Sequence, residues 1–206
     1  MKSEILSHID FETINFLLEG FNKLTGFVTA IEDLEGNVLS QSGWRKACTE
    51  FHRKNPETAI KCKISDVELT KGFKIDQKYH FYKCMNGLVD VVVPIVINRE
   101  HIANLFTGQF FFEEMDVPFF KKQAETYGFD ENAYLEALSK VPIFSEEKAK
   151  EVMGVLLNIT EIIIKMTHEK LYQTEINNEL RKSEEQLVHS HDLMRYMLTS
   201  RNFTPN

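Results

Sequence analysis

Blocks of positive charge are missing from this chain. Its 24 Lys and Arg face 31 Asp and Glu, the formal charge is −7, and no run of cations makes a phosphate-binding footprint. That balance argues against direct nucleic-acid binding. Long apolar runs are missing too. The opening Met-Lys-Ser-Glu-Ile-Leu-Ser-His-Ile-Asp has acids where a signal peptide needs an apolar core, and the most apolar later stretch, 152–164, is interrupted by Asn158, Thr160 and Glu161. A cytoplasmic protein without a membrane span is expected. Cysteine is scarce: Cys48, Cys62 and Cys84 cannot all pair within one chain, which suits a reducing compartment and free thiols. Nucleotide-binding kinase motifs, internal repeats and low-complexity tracts are absent, so catalysis by this chain is not expected.

What is present is enough for one core and an appendage, since 206 residues exceed a typical single domain only slightly. Ser7 and Asp10 offer a capping signal, and Ile14, Leu17, Leu18 and Phe21 then repeat at helical spacing until Thr25-Gly26. Residues 27–33 and 38–42 flank the turn-rich Glu35-Gly36-Asn37 and read as antiparallel strands. Trp44, Cys48 and Phe51 share one face of a short helix over 44–54, ended by Asn55-Pro56, and Pro56 opens another. Ser65 and Glu68 form a second capping pair, with Gly72 placed to stop the helix they start.

Strands follow at about 79–85, 88–97 and 101–112. If Asn86-Gly87 is a two-residue turn, Cys84 opposes Val89, and Lys83 opposes Asp90 as a cross-strand ion pair. Strict alternation then places His80, Tyr82, Cys84, Val89, Val91, Val93, Phe106, Gly108 and Phe110 on one face, with Phe81, Asp90, Val92, Thr107, Gln109 and Phe111 on the other. Pro94 marks a place where a bulge would swap the faces beyond it. Helices at 118–127 and 131–139 precede a long helical run from Ser145. This order describes an α+β fold, a five-stranded antiparallel sheet covered by helices as in PAS and GAF sensor domains, followed by a long C-terminal signalling helix.

In that helix, heptad position a holds Val152, Ile159, Met166, Gln173, Leu180, Leu187 and Met194, while d holds Val155, Ile162, Glu169, Ile176, Ser183, Ser190 and Met197. The expected division is a sensor domain over 1–166 and a coiled-coil signalling tail over 167–206, dimeric because a lone helix cannot cover Leu171, Ile176, Leu180 and Leu187. Glu179 to Leu187 resembles signalling helices that lead into kinase modules of two-component proteins. His191-Asp192-Leu193 is similar to the start of a phosphoacceptor box, but the Pro usual in such boxes is missing, so a histidine-kinase fragment acting through His191 is a third alternative.

Cys48, His52, Cys62 and Cys84 are donors that zinc or iron accept, although their spacing, Cys-x3-His-x9-Cys-x21-Cys, matches no usual zinc ribbon or finger. Packing or pocket lining is the simpler reading, with no cofactor, and a metal or redox sensor is the alternative. His80 and His101 read as satisfied or solvated side chains. Cys62 before Ser65-Asp66, then Tyr82-Lys-Cys84-Met-Asn-Gly87-Leu88-Val-Asp90, Pro94-Ile95 and Gly108-Gln109, in that order, resemble the PocR-type sensory domain over about residues 10–166. That resemblance implies an input module for a transcription regulator or histidine kinase, sensing small hydrocarbon derivatives such as propanediol. It implies a ligand lying between the sheet and the 44–72 helices, against Val91, Val93, Phe106 and Phe110, oriented by Tyr82 and Cys84 and bordered by Trp44, Cys48 and Cys62.

Overall fold

The computed structural model describes residues 2–67 and 78–200. It opens with α1 (Lys2–Ser7) and α2 (Phe11–Thr25). Asp10 caps α2 by accepting from the Thr13 amide at 3.2 Å, and Gly26 ends it in a left-handed conformation at φ 76°. Ser7 closes α1, three residues before that cap. Along α2, Ile14, Leu18 and Phe21 are buried, one face of the expected amphipathic helix.

Five strands form one antiparallel sheet: β1 (Val28–Asp33), β2 (Val38–Ser42), β3 (His80–Lys83), β4 (Val89–Ile97) and β5 (Glu100–Phe110), in spatial order β2-β1-β5-β4-β3. The α+β class expected from the sequence, with its helices and long final helix, is the one observed. The register differs in three places. At the β3–β4 hairpin the Cys84 amide donates to the Leu88 carbonyl and the Gly87 amide to the Cys84 carbonyl, both at 2.8 Å, so the loop is Met85-Asn86-Gly87. Gly87 takes φ 99°, as the bulge position of a three-residue hairpin requires. Lys83 consequently pairs with Val89, and Tyr82 with Asp90. A second slip lies between Ile95 and Val96, and a third between Val89 and Asp90, where Gln109 is squeezed out of β5 at φ 56°.

These slips decide which side chains face which layer. Val91, Val93, Ile95, Leu105 and Phe110 join Ile14, Leu18, Val152, Met153 and Leu156 in the main core, against α2 and the last helix. Val91, Val93 and Phe110 therefore lie on the face opposite the one expected of them. The other face carries Ala30, Val92 and Phe106, with Trp44 and Tyr82 packed on them.

Over that second face lies the helical cover. Its first piece, Ala47–His52, is a single π-helical turn instead of the ordinary helix expected, a wide geometry often found at functional sites. α3 (Pro56–Val67) follows, its first turn held by the Asn55 side chain, which accepts from the Glu57 amide at 2.9 Å. Ser65 lies inside α3 and donates to the Lys61 carbonyl at 2.8 Å, so it does not start a helix; Glu68 and Gly72 are outside the described residues. α4 (Val117–Tyr127) and α5 (Glu131–Ser139) complete the cover through Phe120, Tyr134, Ala137 and Leu138.

The strand β5 runs straight into the connection to the final helix. Phe111 donates to the Pro142 carbonyl and accepts from the Phe144 amide, each at 2.9 Å, and the Phe144 ring stacks on Phe27 at 4.1 Å. α6 (Glu146–Ser200) then extends for 55 residues. Its burial continues to Thr167, and Leu171 still packs on the core, beyond which every described side chain is exposed. No helix among the described residues is long and apolar enough to cross a membrane.

Candidate functional site

Between the sheet and the π turn lies a cavity of about 40 Å³, walled by Ala30, Glu32, Trp44, Cys48, His52, Arg53, Cys62, Asp66, Cys84, Asp90, Phe106, Gly108 and Gln109. On the scale where one water needs about 10–15 Å³, it has room for about three waters or a very small organic molecule. Of the residues expected here, Trp44, Cys48, Cys62, Cys84 and Phe106 line it. Tyr82 stands at its edge, its hydroxyl 3.5 Å from Asp66. The three cysteines and His52 are thus brought to one space from the π turn, α3 and the β3–β4 loop.

The sequence reading missed the charged wall. Asp90, expected to pair with Lys83 on the other face of the sheet, faces the cavity because of the hairpin slip, and Lys83 lies instead 6.0 Å over the Phe119 ring. Burial, then repulsion from Asp66, pushes the Asp90 carboxyl up to about 7, even though the Gln109 amide donates to it at 3.1 Å. Gln109 is fixed in turn by the Arg45 amide, which donates to its side-chain oxygen at 2.6 Å. So the bulge, Asp90 and the start of the helical cover are one unit. Glu32 and Asp66 share the Arg53 guanidinium at 3.3 and 2.8 Å, and Arg53 stacks 4.4 Å from the Trp44 ring centre. Burial still raises both carboxyls above their ordinary range. Among the described residues Glu32 Oε2 has no hydrogen-bond partner, although Glu32 is only 2% exposed.

A second network runs through the cover. Tyr134 donates to Gln123 Oε1 at 2.7 Å and so accepts from His52 Nε2 at 2.6 Å, which leaves His52 Nδ1 to face the Cys48 thiol at 3.9 Å. Gln123 donates to Asn86 at 3.2 Å, and Asn86 donates to the Thr58 carbonyl at 3.0 Å and to Cys62 Sγ at 3.2 Å. The chain of bonds starts and ends on cavity thiols. Burial pulls His52 down to about 4, aided by Arg53 and Lys61, so the ring is neutral as this arrangement needs. Asn86, Gln123 and Tyr134 gave no sequence signal beyond the Asn-Gly turn, because their partners are 37 and 11 positions apart.

Burial also holds the thiols in their protonated form, pushing Cys62 up to about 11 and raising Cys48 and Cys84. A protonated thiol is a poor nucleophile and a poor metal ligand. Among the described residues no three His, Cys, Asp or Glu side chains are grouped to hold a metal ion. His80 is stacked beside Tyr82 at 6.4 Å, His101 bonds Asn104 at 2.8 Å, and His191 is exposed on α6.

This arrangement can hold a small guest by apolar contact with Phe106 and Trp44 and by hydrogen bonds to carboxyl groups. A sensory domain described as found in PocR matches residues 7–168. The chain is 26% identical over 107 residues to the Regulatory protein PocR of Salmonella typhimurium, an alignment covering 50% of this chain and 34% of that protein. The match spans about a third of that relative's length. The chain belongs to the family of sensory domains found in PocR.

Proposed function

We propose that this chain is the input module of a cytoplasmic signalling protein, taking a short hydrocarbon derivative such as an alcohol or diol into the cavity beneath the π turn. The observation that carries this reading is a cavity of about 40 Å³ built from an apolar floor and convergent polar groups on both layers. The family supplies the sensory role, and the cavity supplies the scale of the ligand.

A route outward is built into β4 and β5. Asp90 lines the cavity and Val92 lies on the same face of the sheet, while Val91 and Val93, between and beyond them on the same strand, pack toward α6. Two residues after the Gln109 bulge, Phe111 is bonded to Pro142 and Phe144, immediately before α6 begins. A ligand that moves Asp90 or Gln109 therefore biases the root of α6. Beyond the domain α6 exposes Ile176, Leu180, Leu187 and Met194, which supports pairing with a second copy and delivery of the signal to a kinase or regulator module.

A metal or redox sensor built on Cys48, His52, Cys62 and Cys84 is supported less well, because all three thiols are held protonated. Thermal unfolding in the presence of short alcohols, diols and methylated compounds tests the ligand reading. A specific ligand at a hundred times its Kd should add about 2.7 kcal/mol. For a chain of this size that is a rise of about 5–10 °C. A panel of such compounds that leaves the midpoint unmoved would reject the reading.

A further inference from the structure

Inside the domain α6 carries two apolar faces. One, through Val152, Met153, Leu156 and Ile163, is buried in the main core. The other runs Val155, Ile159, Ile162 and Met166 and is only half covered: among the described residues Val155 is left 50% and Ile162 44% exposed, and Ile159 and Met166 are partly so. The first helix of the core extends this second face. Phe16, Gly20 and Leu24 recur along α2 beside its buried side, with Phe16 77% and Leu24 89% exposed. Between the two helices lies a groove of about 630 Å³, lined by Leu17, Gly20, Phe21, Leu24, Val155 and Ile159, with the Glu19 and Lys23 ion pair on its rim. A contiguous apolar floor with a charged rim has the anatomy of a protein interface.

What covers this face is written along α6. Val155, Ile159, Ile162 and Met166 hold successive d and a positions of the same heptad register that Ile176, Leu180, Leu187 and Met194 continue past the domain. In the tail that register is broken by Glu169, Gln173, Ser183 and Ser190, so its longest unbroken apolar run is the one beside α2. A seam on one side of a continuous helix brings the same partner to both stretches.

We propose that the face formed by α2 and α6 docks a second copy of this chain, whose α6 lies in parallel register against Val155, Ile159, Ile162 and Met166, while the α2 helices flank the pair. This rests on pairing through α6 and places the stronger part of that pairing within the sensor domain. Such a contact is isologous, each copy presenting the same patch, and the rim of the groove carries both signs of charge. Met153 and Leu156, next to Val155 on α6, pack in one cluster with Val91 and Val93 of β4. The second copy therefore stands one helix diameter, about 10 Å, from the strand that carries Asp90. A shift of β4 on ligand binding reaches it there, without travelling the length of the tail.

Cysteine cross-linking of the full chain tests this. Ile162→Cys puts a thiol at a d position within the domain, Ser183→Cys at a d position in the tail, and Glu161→Cys on α6 off the seam; the unaltered chain, whose three cysteines line the ligand cavity, is the blank. Under mild oxidation Ile162→Cys and Ser183→Cys should each give at least about fivefold more covalent dimer than Glu161→Cys or the blank. The double variant Phe16→Glu, Leu24→Glu, at sites too exposed to unfold the domain, should raise the dissociation constant of the dimer at least about tenfold in sedimentation equilibrium. Cross-linking through Ser183→Cys but not Ile162→Cys, or an unchanged dissociation constant in the double variant, overturns this inference and leaves pairing through the tail standing. Cross-linking at neither position overturns both.

Discussion

Replacing Gly108 by Ala is expected to destabilise the protein by about 3–5 kcal/mol, among the largest effects of any single added methyl group. Gly108 pairs with Asp90 across β4 and β5, directly before the Gln109 bulge. A Cβ there would lie 2.7 Å from the Asp90 Cα and closer still to its carboxylate. Backbone cannot give way as a flexible side chain can. Either the strands separate or Asp90 leaves the cavity and gives up the Gln109 amide, and both outcomes dismantle the site. Gly154→Ala is the control, because nothing lies within 4 Å of its added Cβ on α6 and helix propensity improves. Urea unfolding of both variants checks this, and a Gly108→Ala variant as stable as Gly154→Ala would refute the account of the bulge.

The double variant Leu180→Glu, Leu187→Glu is expected to reduce the solution mass to that of one 24.0 kDa chain while leaving the domain folded. Both residues are more than half exposed on α6, well past Thr167 and Leu171, so the domain does not need them. With a rise of 1.5 Å per residue, the part of α6 beyond Leu171 extends for about 40 Å without support from its own domain. A helix of that length with Ile176, Leu180, Leu187 and Met194 along one side is marginal alone, and the proposed pairing would cover the stripe. Charges placed at two core positions of each strand should cost several kcal/mol of association. Light scattering decides it: a dimer that persists in the variant, or a wild-type monomer at high concentration, contradicts pairing through the tail.

The order of elements was legible because it rests on local chemistry: Asp10 and Gly26 bracket α2, Pro56 opens α3, and alternation marks the strands. The faces of the sheet were not, for one physical reason acting three times. Asn86-Gly87 suits both a two-residue turn and a three-residue loop, and the choice is made by distant partners: Gln123 bonds Asn86, and Phe119 and Phe120 crowd Gly87. That single residue turned Val91 and Val93 away from the cavity and Asp90 into it. The slip after Ile95, close to Pro94, turned the pattern back, so Tyr82 and Phe106 share a face as expected. The Gln109 bulge then sent Phe110 into the main core. Period-two reasoning fails at each extra residue, and the motif residues Asn86, Gly87, Gly108 and Gln109 lie at two of the three irregularities. Glu32 stands beside a second acid, Asp33, in a strand that also holds Thr29, so nothing local marked it as the wall of a polar cavity.

The ligand's place is tested most directly by filling it. Ala30 is 3% exposed on the cavity floor beside Phe106, and Ala30→Leu puts three more carbons into a space of about 40 Å³. Overpacking of this kind costs about 1–3 kcal/mol, within what a folded domain survives. Calorimetry with the small compound that most raises the melting midpoint is the measurement: the account predicts saturable one-to-one binding to the wild-type chain and none to a folded Ala30→Leu variant. Undiminished binding to that variant would contradict it.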